Sequence, residues 1–212
     1  MLGNIIWVRV LYKVYVKIVL VDEQVDAIVN PTFEDLKHRR GAAKAIADAA
    51  GEEFHKECED YINKYEELGV GEAMMTSAGG SLKCSNVIHA VGPDARGKNQ
   101  MRMQKEKEQL RECVKNIIKI MKNKDLSSVS IPAISTGIFG FPLDLCPFIM
   151  AEAIKFMIDA DPDAYKNKKI IMCNFDNKTT NKFLSYFFKE FEQKESDDEE
   201  SSKQESEYES EM

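Results

Sequence analysis

Short runs of apolar, β-branched residues alternate along the chain with longer segments of helical periodicity, and that alternation limits the fold more than any other feature. Strand-like runs lie near 8–20, 25–30 (VDAIVN), 72–77 (EAMMTS), 86–91 (NVIHAV), 128–133 (SVSIPA) and 169–175 (KIIMCNF). Several are apolar at nearly every position, the pattern of strands covered on both faces. Helical patterns fall between them near 41–50, 52–66, 101–123, 144–159 and 178–191. The longest is amphipathic, with Leu110, Val114, Ile117, Ile118 and Met121 at spacings of three and four. Asp144 stands where it could cap its helix, with Pro147 in the first turn. This order predicts a three-layer α/β/α domain around a mixed, mostly parallel sheet.

A chain of 212 residues has room for one such domain and a tail, and a domain of that size needs neither disulfides nor a metal to hold its core. The expected division is 1–191 for the domain and 192–212 for the tail. Most of the net charge of −7 sits in that tail, which holds ten acids and two lysines. The first 191 residues carry 26 acids against 27 bases. A body so nearly neutral gives little support to nonspecific nucleic-acid binding. The tail has one aromatic residue, Tyr208, and no aliphatic before Met212, so it is expected to be disordered. Its acids suit basic partners, and Ser196 before four acids reads as an acid-directed phosphorylation site or as part of a purely solvating tail.

Five cysteines with no CxxC pair and an odd total argue for free thiols in a reducing compartment, and against a disulfide framework or a zinc site. The apolar stretch from Ile5 to Val21 is interrupted by Arg9, Lys13 and Lys17. That spacing suits neither a signal peptide nor a membrane span, so cytoplasm or nucleus is the expected location. The start, Met1 to Leu11, reads as an additional edge strand or an altered terminus.

The segment with the most chemical content is IPAISTGIFGFP, from Ile131 to Pro142. An apolar strand runs into Ser135, Thr136, Gly137 and Gly140, and a helix follows. Small residues at the C-terminal end of a strand let backbone N–H groups converge on an anion. Neither GK[ST] nor GxGxxG is present, so this is no Walker loop or dinucleotide fingerprint. A tight turn that merely needs glycines is the plainer reading of this loop alone. A second strand-to-helix loop, VDAIVN into PTFEDLKHRRGAAKAI, leaves room for a ligand at Gly41 and the alanines after it. Two such loops at C-terminal strand ends are the expected placement for a ligand crevice in an α/β sheet.

Taken in order, VDAIVN, GAAKAI, GEAMMTSAGGSLKCSNVIHAVGP, SIPAISTGIFGFP and CNFDN resemble the macrodomains, most closely those carried in tandem by certain ADP-ribosyltransferases. The resemblance covers about residues 14–191 and implies a binder of ADP-ribose, free or attached to proteins, that works without cofactor or metal. By the same resemblance Ser135, Thr136, Gly137, Ile138 and Gly140 hold the diphosphate, and Phe139 lies against the distal ribose. Gly41 and Ala42 flank the diphosphate and that ribose, Phe175 stacks on adenine, and Asn30 takes the place of the family's first motif asparagine.

Three departures bear on activity. Where the family has a second asparagine that binds the distal ribose and supports hydrolysis, this chain has Phe33, whose ring cannot make those hydrogen bonds. One of the paired glycines before the helix is Arg40, which either offers a phosphate a charged fork or, the favoured reading, turns out to solvent. The acid that contacts the adenine amine has no counterpart among Ile18, Val19 and Leu20. The expected function is therefore an ADP-ribose-binding module with no catalytic residue. The alternatives are a degenerate scaffold for protein contacts and, third, an ADP-ribosyl hydrolase. His89, inside the apolar run VIHAV, reads as a packed structural residue, and His55 as exposed. His38 on the first loop could approach a ligand but has no evident carboxylate partner. Ser77 to Ser81 lack the GxSxG spacing of a nucleophile elbow.

Overall fold

The computed structural model describes residues 6–7, 13–18, 24–174, 176–187 and 189–191. The tail expected at 192–212, Phe175, Val19 and Leu20 lie outside them. The strands are β1 (Ile6–Trp7), β2 (Lys13–Ile18), β3 (Ala27–Pro31), β4 (Ala73–Ser77), β5 (Asn86–Ala90), β6 (Ser128–Ile131) and β7 (Lys169–Asn174). They form one sheet in the order β1-β2-β7-β6-β3-β5-β4. The inner pairings are parallel, and only β1 on β2 and β4 on β5 run antiparallel. The mixed, mostly parallel α/β/α architecture read from the sequence is thus the one observed.

The helices are α1 (Gly41–Ala49), α2 (Glu52–Tyr65), α3 (Gln104–Asn123), α4 (Cys146–Ala160), the four-residue α5 (Pro162–Tyr165) and α6, helical over 177–187. Strand alternation feeds two separate cores. Ala27 and Val29 of β3 and Ile170 and Met172 of β7 join the α3, α4 and α6 side, where Leu110, Val114, Ile117, Ile154 and Phe183 are fully buried. Ile28 and Ile171 face the other way, onto Ile46 of α1 and Phe54 of α2. A sheet buried on both faces explains why its strands read as nearly continuous apolar runs.

One local reading is corrected. Asp144 does not cap α4: the cap position is Leu145, which makes no side-chain cap bond, and Asp144 pairs with Lys182. The run expected as one strand over 8–20 contains β2 at 13–18, with β1 paired ahead of it at the sheet edge. All five cysteines are buried, and none is in a disulfide.

Candidate functional site

A cavity of about 350 Å³ opens where β6, β3 and β7 end together. That volume falls within the range of small-molecule sites. Its floor is the loop that leaves β6. Thr136 and Gly140 N–H groups donate back to the carbonyls of Ala133 and Gly137, at 3.4 and 3.0 Å, and Phe141 N–H donates to Ser135 at 2.9 Å. These bonds fix the turn. The N–H groups of Ser135, Gly137, Ile138 and Phe139 donate to no acceptor among the described residues. Ser135 has a left-handed backbone, φ 63°, which turns consecutive N–H groups toward one side, the arrangement that binds anions. Gly92, from the loop after β5, lies beneath: a Cβ there would stand 2.2 Å from Ser135 Oγ and 2.4 Å from Ile134 Cγ2.

Of the residues the resemblance implicated, Phe33, Gly41, Ala42, Ser135, Thr136, Gly137, Ile138 and Phe139 line this cavity. Gly140 does not; its φ of 61° closes the turn beside Arg96. Phe33 does not fill the hollow. Its ring meets Phe139 edge-on at a centroid distance of 5.1 Å, with the Arg39 guanidinium 5.7 Å above it. Arg39 is itself held by Asp35 at 2.6 Å, and Arg40 is exposed on the rim while still lining the cavity.

Asn30 requires a correction. It is fully buried, absent from the cavity wall, and turned to the opposite face of the sheet. Its amide nitrogen stands 3.3 Å from His38 Nδ1 and 3.4 Å from His89 Nδ1. If its two N–H groups donate there, both imidazoles carry their proton on Nε2. Those protons face Cys58 Sγ at 3.8 and 3.5 Å, and His89 also donates to Thr76 Oγ1 at 3.0 Å. Thr32 Oγ1 donates to His38 Nδ1 at 3.2 Å. His38 therefore points inward and anchors the first loop from beneath. The network brings three atoms capable of ligating a metal, on His38, Cys58 and His89, within 4.8 Å of one another, although the cysteine and histidines are far apart in sequence. Each is already engaged in a hydrogen bond.

Burial, and then the charge of its neighbour His55, lowers His38 to about 4; burial, and then His38, lowers His89 to about 3. Burial, with Glu57 adding to it, holds the Cys58 thiol up at about 12. Both imidazoles are ordinary bases in the unfolded chain, near 6.5. Between that value and the folded ones the unfolded state binds more protons, so stability is complete above about pH 6.5 and declines as pH falls. Urea denaturation at pH 5 is expected to give a stability about 2–4 kcal/mol below that at pH 7. An unchanged midpoint across that interval would show that the two rings are not held neutral.

The cavity also has members that the sequence reading passed over: Gly92, Leu143, Asn174, Asp176 and Thr179. Asn174 had a visible signal, as the one amide in the apolar run KIIMCN.

The Macro domain family matches residues 29–150, more than half of the chain. The chain belongs to the macrodomain family. An uncharacterized protein of Thermotoga maritima is 42% identical over 165 residues, covering 78% of this macrodomain and 26% of that protein. The human protein mono-ADP-ribosyltransferase PARP14 is 36% identical over 159 residues, 75% of this chain and 9% of its own. This macrodomain thus spans a minor part of both. The Oceanobacillus iheyensis macrodomain solved with ADP superposes with a TM-score of 0.76 at 26% identity, covering 88% of this chain and 96% of that one. A mutant of it solved with ADPR gives 0.74 at 26%, covering 87% and 96%. Among the described residues no helix is long and apolar enough to cross a membrane.

Proposed function

We propose that this macrodomain binds ADP-ribose, free or attached to proteins, and does not hydrolyse it. The observation that carries the reading is the row of undonated N–H groups at Ser135, Gly137, Ile138 and Phe139 on the floor of an open cavity. Such a cradle satisfies a diphosphate without a lysine or a metal. The Oceanobacillus relative holds ADP, and its mutant ADPR, in the same fold. Macrodomains include both binders and hydrolases. The reading without turnover is supported by Phe33, an apolar ring packed on Phe139 in the cavity lining, on which no group can orient a water.

Calorimetric titration with ADP-ribose is expected to give saturable binding, and incubation with a mono-ADP-ribosylated protein no release above background. Lack of binding would remove the nucleotide reading and leave the interaction scaffold. The double variant Phe33→Asn/Arg40→Gly is expected to bring release above the wild-type level. Equal release from both would show that other positions govern the chemistry.

A further inference from the structure

Asn174 closes β7, a strand otherwise made of Lys169, Ile170, Ile171, Met172 and Cys173. It is 2% exposed, and neither its Oδ1 nor its Nδ2 has a hydrogen-bond partner among the described residues. Among the described residues it is the one buried side chain stranded at both polar atoms. A primary amide placed this way is unfavourable in a strand, and its burial is a penalty unless something bonds to it. Asn174 lines the cavity, in company with Pro132, Leu143 and Thr179.

The sheet order tells which end of a ligand would meet it. The cradle loop leaves β6, which lies between β7 and β3. A diphosphate resting on the cradle therefore extends one arm toward Phe33 and Gly41, beyond β3, and the other toward Asn174 at β7. The first direction is the open one, since Arg40, Gly41, Gly137 and Ile138 are all exposed, and an arm attached to a protein must leave that way. The second ends on a buried amide, with Pro132, Leu143, Asp176 and Thr179 also lining the cavity. A carboxamide presents a donor and an acceptor side by side in one plane. That matches an adenine edge, where the 6-amino group adjoins a ring nitrogen acceptor.

Resting on the reading of the cavity as an ADP-ribose site, we propose that Asn174 is the residue that reads the nucleobase, pairing its amide with the 6-amino edge of adenine. Register places Asn174 beside Ile18 of β2, so the adenine-reading group stands one strand over from the segment whose family acid is missing.

The test is a titration of wild type and Asn174→Leu with ADP-ribose and with its analogue bearing hydrogen in place of the 6-amino group. Wild type is expected to prefer ADP-ribose by about tenfold or more. Asn174→Leu is expected to lose that preference, binding both ligands at the level wild type shows for the analogue. Its melting temperature should be unchanged or higher, because an apolar side chain removes the stranded amide. If wild type binds neither ligand, the ADP-ribose reading itself fails. If wild type binds and Asn174→Leu keeps the same preference, the assignment of Asn174 alone is overturned.

Discussion

Gly137→Glu is expected to abolish ADP-ribose binding while leaving the fold intact. A Cβ at Gly137 would meet nothing within 4 Å, so a side chain is accommodated at this cavity-lining position without disturbing the loop. It also carries a negative charge to the place where a diphosphate would rest, and like charges brought together in a binding site cost several kcal/mol. The affinity loss should exceed about two orders of magnitude, roughly 3 kcal/mol. Calorimetry reads the affinity and thermal melting reads the fold. Undiminished binding would move the phosphates off this loop.

Gly92→Ala should act in the opposite way, through the scaffold. Its Cβ would lie 2.2 Å from Ser135 Oγ and 2.4 Å from Ile134 Cγ2, separations that require Ser135 and Ile134 to shift. Both belong to the cradle, and Ser135 has φ 63°, a conformation a serine keeps only while its surroundings enforce it. Overpacking of this sort costs about 1–3 kcal/mol. The variant should melt lower and bind more weakly, whereas Gly137→Glu should lose binding with its melting unchanged. A Gly92→Ala protein with wild-type melting and affinity would show that the cradle does not depend on this contact.

The architecture was legible because hydrophobic periodicity is a local signal. Strands buried on both faces, such as Ala27–Pro31 and Asn86–Ala90, announce themselves by composition, and the 20-residue α3 by its apolar stripe. Pro162–Tyr165 did not, since four residues are too few to display a period. The cradle was legible for the same reason: its small residues are contiguous. What stayed hidden were side chains whose meaning depends on direction. Asn30 stands in the expected strand, but alternation sends it to the α1–α2 face, onto His38 and His89. His38, read as a loop residue that could approach a ligand, is drawn inward by Thr32 on the same loop and by Cys58 of α2. Asn174 could be seen as an oddity in its strand, but its lack of partners is a property of three dimensions.

Because His38 bonds to Thr32, which lines the cavity next to Phe33, the first loop joins the cavity wall to the acid-sensitive interior. If a ligand of the cavity favours the seated loop, thermodynamic linkage sets it against protons: acidification weakens its binding, and its binding makes the two rings harder to charge.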